Sequence, residues 1–292
     1  MASITTHSDP YLTYVLSTEQ SKVEIVPERG GIVTRWTWQG SEIFYLDEQR
    51  FQDPNLTVRG GIPILFPICG NLPDDRYILN GQPYTLKQHG FARNLPWTVV
   101  DQSPAEGTAE EISLTVELGS SEETFQSYPF DFNVQFAYIL RGSTLTLRQT
   151  YSNHSDQTMP FMTGLHPYFA VQDKTQLQLG IPANQVFDHI TQTSQDFAGT
   201  FDYGVDEIDV ALAPLSATTA TVTDPARNLQ LSLSYSDHYS TLVFWTVKGK
   251  DFYCLEPWSG PRKSLISGDH LLHVGPESQL VTEVTMTINA LT

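Results

Sequence analysis

Apolar and polar side chains alternate with a period of two over much of this chain. Ile112, Leu114, Val116 and Leu118 are separated by Ser, Thr and Glu. Phe132, Val134, Phe136, Tyr138 and Leu140 repeat the pattern. So do Leu177, Leu179 and Ile181, then Leu229, Leu231, Leu233 and Tyr235, and finally Val284, Met286 and Ile288. Successive side chains of a strand point to opposite faces, so this period means strands with one face buried. Turn residues punctuate the runs at Asn80-Gly81, Arg141-Gly142-Ser143 and Lys248-Gly249-Lys250. Residues 132–151 are expected to form a hairpin. Helical periodicity is scarce, and one short helix is expected around 121–126, started by Ser120 or Ser121. The stretch 193–225 is more irregular and polar and reads as long connections.

Many strands, short turns and few helices imply an all-β fold, a large antiparallel sandwich or a barrel. There is no Pro- or Ser-rich linker, composition shift or fixed-period repeat, so 1–292 is expected to be one domain. The 33 acidic against 16 basic residues give a net charge of −17. Such a surface opposes nucleic acid, whose binding requires cations to neutralise phosphates, and it opposes anionic membranes. A small anion would need a local cluster of arginines. The N-terminus lacks a basic segment followed by an apolar one, and no apolar run reaches membrane-spanning length, so a cytoplasmic location is expected. Cys69 and Cys254 are the only cysteines. Two cysteines exclude a disulfide framework but not a single bridge.

Three segments resemble neither ordinary strands nor ordinary turns. The first, 58–94, holds VRGGIPILFPICGNL and LKQHGFARN, where glycines and prolines fix an unusual backbone path. The second is MTGLHPYFAV, 162–171, with His166 before a proline in an apolar run. The third is FYCLEPWSG, 252–260, with Glu256 in a strand that should be buried. Read singly, His89 fits a surface histidine, His166 a hydrogen-bonded core residue, Arg59 and Arg93 surface charges, and Trp258 plain core. Glu256 is harder to explain structurally, because carboxylates are seldom buried unless paired or functional.

These segments carry a resemblance. VRGGIPILFPICG, KQHGFARN, GLHPYF and CLEPWSG, in that order, are similar to the aldose 1-epimerase (galactose mutarotase-like) superfamily, nearest its hexose-6-phosphate mutarotase and bacterial mutarotase-related branches. The resemblance implies a large β-sandwich that interconverts the α and β anomers of a hexose or hexose 6-phosphate without metal or cofactor. By matching motif positions it implies His166 as general acid and Glu256 as general base. It also implies His89 as a sugar-holding histidine, and Arg59 and Arg93 as a phosphate grip. Asp209, in EIDVAL, matches a sugar-binding aspartate, but Val210 stands where an arginine usually follows. Trp258 lies at a position where the sugar-phosphate members differ.

The residue types suit the chemistry. A base takes the proton from the C1 hydroxyl while an acid protonates the ring oxygen. The open aldehyde rotates about C1–C2, and closure reverses the roles. Glu256 and His166, once close, are expected to favour each other's charged forms. A glycosidase would need two flanking carboxylates. A non-catalytic sugar-binding module would need no acid–base pair. A cupin-type metal isomerase would need clustered ligands, and among the eight histidines there is no HxH pair; His270 and His273 alone make a weak case.

Overall fold

The structure is a computed structural model that describes residues 2–103 and 111–291. All pairings between its named strands are antiparallel, and two eight-stranded sheets form a large β-sandwich. One sheet has the order Gln178–Gly180, Thr219–Asp224, Leu229–Tyr235, Ser278–Ala290, Thr144–Asn153, Phe132–Arg141, Glu111–Gly119 and Thr98–Ser103. The other runs Thr193–Asp196, Gln185–Asp188, Glu207–Leu212, Thr241–Val247, Phe252–Trp258, Gly164–Leu165 and Ile64–Leu65, with Tyr168–Ala170 also paired to Phe252–Trp258. A five-stranded meander, Ser3–Ser8 through Ser41–Glu42, adds a third sheet.

The alternating runs do what their period dictates. Leu114, Val116, Phe136, Tyr138, Leu147 and Met286 enter one apolar core with Val210, Leu212, Phe244, Tyr253 and Leu255 of the opposing sheet. Each large side chain removed from water contributes roughly 1.5–3 kcal/mol, which offsets the cost of burying polar groups nearby. The hairpin forms between Phe132–Arg141 and Thr144–Asn153. Asn80 (φ 50°) and Gly81 (φ 80°) both adopt positive φ, as a two-residue hairpin turn requires, and join Arg76–Leu79 to Gln82–Thr85. The helix is Glu122–Ser127, capped by a reciprocal Ser121–Thr124 pair, with Glu122 and Glu123 in its first turn.

The expectation of long connections over 193–225 is corrected. Thr193–Asp196, Glu207–Leu212 and Thr219–Asp224 are strands within it. The first is exposed throughout, so its side chains carry no apolar period. The pattern around 177–181 also shortens, to a 3-10 turn at Lys174–Gln176 and the strand Gln178–Gly180. Both cysteines are free and buried. Among the described residues no helix is long and apolar enough to cross a membrane.

Candidate active site

The site grows from a strand buried on both faces. Phe252–Trp258 is buried at every position, so its sequence reads as a continuous run rather than an alternation. Tyr253 and Leu255 face the sandwich core. Glu256 and Trp258, two residues apart, share the opposite face and line a pocket. The register sets Val243 against Glu256 and Trp245 against Cys254. On the next strand, Asp209 pairs with Trp245. On the other side Gly164 pairs with Trp258, and Tyr168 with Cys254. His166 lies between these last two short strands, its N–H donating to the Pro63 carbonyl at 3.1 Å.

The pocket has a volume of about 360 Å³, within the range of small-molecule sites. Arg59, His89, Arg93, His166, Asp209, Glu256 and Trp258 all line it. His166 Nε2 is 3.4 Å from Glu256 Oε1. The indole N–H of Trp258 donates to the other carboxylate oxygen at 3.1 Å, which fixes the carboxyl plane. The His166 ring stacks on Tyr168, with centroids 4.7 Å apart.

His89 is buried, at 5% exposure, which removes the surface reading. It sits in the left-handed region (φ 67°). Its N–H donates to the Gly70 carbonyl at 2.7 Å, and its Nδ1 accepts the Gly70 N–H at 3.0 Å. An imidazole that accepts at Nδ1 carries its neutral-form proton on Nε2. Gly90 (φ 69°) follows, and a Cβ there would run into the Phe66 carbonyl, so only glycine lets this loop pack so close.

Arg262 also lines the pocket, and sequence reasoning missed it. One of its amino groups donates to both oxygens of Asp209, at 2.9 and 2.8 Å. Its guanidinium lies 5.9 Å from the Trp258 ring centre. A Cβ at Gly70 would come within 2.5 Å of its side chain. The arginine absent beside Asp209 in sequence is thus supplied 53 residues later. The readable signals were the lone Asp209 and a cation between Pro261 and Lys263, just beyond CLEPWSG. Arg50 and Trp245 also line the pocket and were not foreseen.

Electrostatics corrects a second expectation. His166 and Glu256 do not hold each other charged. Burial pushes His166 down to about 3, and the nearby Arg93 adds to the effect. Burial pushes Glu256 well above the ordinary glutamate range, Asp209 adds to this, and the Trp258 hydrogen bond opposes it. Desolvation disfavours each charged form, and here it outweighs the pair's attraction. The buried pocket therefore favours the neutral form of each group, which is the arrangement with the shared proton on Glu256. His89 is likewise driven neutral, first by burial and then by Arg93.

A larger cavity of about 1030 Å³ lies beyond Arg262, which lines both. It has no histidine–carboxylate contact among the described residues, so the smaller pocket holds the acid–base geometry.

Known proteins resemble this chain in both sequence and fold. A family model described as aldose 1-epimerase matches residues 13–270, a span that includes every pocket residue named above. A protein of Escherichia coli (strain K12), named provisionally as a glucose-6-phosphate 1-epimerase, is 26% identical over 246 residues, covering 82% of this chain and 72% of its own. The crystal structure of the Slr1438 protein from Synechocystis sp. PCC 6803 superposes with a TM-score of 0.93 at 45% identity, over 99% of this chain and 100% of that one. A galactose mutarotase-like protein from Clostridium acetobutylicum shares the fold, with a TM-score of 0.81 at 16% identity over 99% of both chains. With the match running from the second strand past the last pocket residue, the chain belongs to the aldose 1-epimerase family.

Proposed function

We propose that this protein is a mutarotase that opens and recloses the ring of a hexose or hexose 6-phosphate. In this reading His166 is the acid at the ring oxygen and Glu256 the base at the C1 hydroxyl. His89, Asp209 and Trp258 hold the sugar, with Arg262 fixing Asp209. The carrying observation is the 3.4 Å approach of His166 to Glu256 on one pocket face. A binding module would have no use for a carboxyl and an imidazole buried together in a sugar-sized pocket.

The protonation state fits the cycle. Ring opening moves a proton from the C1 hydroxyl to Glu256 and another from His166 to the ring oxygen. The open aldehyde then sits beside a protonated Glu256 and a neutral His166, which is the state burial favours. To start, the pair's one proton must lie on His166. That shift leaves the net charge unchanged, and sugar hydroxyls donating to the carboxylate favour it. Each member is expected to contribute about 10²–10⁴-fold.

The direct test follows fresh α-glucose, α-galactose or α-glucose 6-phosphate by polarimetry. Relaxation should be faster with protein, and EDTA should not slow it. Loss of rate with EDTA, restored by zinc or manganese, would instead support a metal isomerase.

The pH profile is a further expectation. The pair works while it holds one proton. A lowered His166 moves the acid limit down, to about 3, because only below that does the pair gain a second proton. A raised Glu256 moves the alkaline limit up, because only there is the last proton lost. For free glucose, kcat/KM should therefore show no break at the ordinary imidazole value near 6.5. A tenfold fall per pH unit starting there, after subtraction of the spontaneous rate, would mean that His166 is charged in the free enzyme.

A further inference from the structure

Cys254 is a buried nucleophile for which the acid–base cycle has no use. It shares the pocket-side face of Phe252–Trp258 with Glu256 and is packed by Tyr168 and Phe252. Ligand atoms of His166, Cys254 and Glu256 all lie within 4.8 Å of one another. Imidazole, thiol and carboxylate are a recognised donor set for zinc.

We propose that His166, Cys254 and Glu256 form an inhibitory site for a thiophilic divalent cation such as zinc, which blocks the acid–base pair. The geometry needs little change. Ligand atoms around tetrahedral zinc lie about 3.3–3.6 Å apart, given bonds of about 2.0 Å to nitrogen and oxygen and about 2.3 Å to sulfur. The His166–Glu256 separation of 3.4 Å already meets this, and the sulfur, no more than 4.8 Å from the other two donors, must close by up to about 1.2–1.5 Å. All three residues sit on strands or beside them, so the donors are held by sheet register rather than by a loose loop. The charge balance is also favourable. The thiol and carboxyl release their protons to solvent, and one thiolate, one carboxylate and one neutral imidazole around a dication leave no net charge buried. With three protein ligands, the fourth position is left for water. A metal there occupies both groups the sugar needs, so it competes with the sugar.

The test uses the tag-free full chain, with cobalt(II) and zinc(II) as probes. Cobalt should produce a sulfur-to-metal charge-transfer band at one equivalent, and zinc should bleach it. Cys254→Ala and Cys254→Ser should both lack the band, so that misfolding of one leaves the other as the test. Zinc should inhibit wild-type mutarotation, less so at saturating sugar, and EDTA should restore the rate. The Cys254→Ser variant should keep its basal rate and need at least about tenfold more zinc for half-inhibition, since one of three ligands is gone. No charge-transfer band in the wild type, or equal zinc inhibition of Cys254→Ser, would overturn the proposal. The inhibition rests on the mutarotase reading, but the cobalt spectrum does not, so a chain without mutarotase activity could still reveal the metal site.

Discussion

Glu256→Gln and His166→Ala are each expected to lower kcat for mutarotation by roughly 10²–10⁴-fold, with the fold retained. In the proposed cycle each replacement removes one of the two groups that exchange protons with the sugar at the same moment. Gln keeps the size of Glu256 and can still accept the Trp258 indole hydrogen bond seen at 3.1 Å, but it cannot take a proton from the C1 hydroxyl. Burial raises Glu256 above the ordinary glutamate range, so folding works against its charged form, and an uncharged amide there should leave stability little changed or improved. The double variant should be little slower than either single one, since neither group works without the other. The check is kcat for both anomers by polarimetry, with circular dichroism to show the fold. Near-full activity in both single variants would mean that the pair is not the acid and base. His89→Ala is a different case. Its ring is held by one hydrogen bond, accepted at Nδ1 from the Gly70 N–H, and it lines the pocket, so losing it should weaken sugar binding as well as rate.

Arg59→Ala and Arg93→Ala are each expected to lower kcat/KM for glucose 6-phosphate by roughly 10- to 160-fold, from about 1.5–3 kcal/mol for hydrogen bonds to a charged group. The loss on free glucose should be much smaller. Both arginines line the pocket in a chain of net charge −17. Among the described residues neither is ion-paired with a carboxylate, whereas Arg262 is committed to Asp209. Arg93 gives one hydrogen bond to the Gln88 carbonyl at 3.0 Å, and its buried Nε has no partner. A planar fork of this kind suits phosphate oxygens. Arg93 should matter more than Arg59, because it is the more buried and less screened by water. Arg93 also acts electrostatically on His166 and Glu256, so a small loss on glucose is part of the expectation. Equal losses on both sugars would make the arginines structural, and a wild type that prefers free hexose would rule out phosphate as the specificity element.

The sequence by itself determined the sandwich class, because burial of one strand face is written as a period of two and needs no knowledge of the partner sheet. It also determined which residue types stood out, since Gly70, Gly90 and the prolines around His89, His166 and Glu256 record backbone demands that are local. Thr241–Val247 and Phe252–Trp258 gave no alternation, because both faces of those strands are covered. The polar edge strand Thr193–Asp196 gave none because neither face is. Only the tertiary structure decided that seven residues from five segments meet in one pocket, and that Asp209 takes its arginine from position 262. It alone set the burial that biases the pair toward its neutral forms as well. In sequence, Glu256 and His166 are an acid and a base free to charge one another. Folded, they are stripped of water, and desolvation, which depends on everything packed around them, outweighs their attraction.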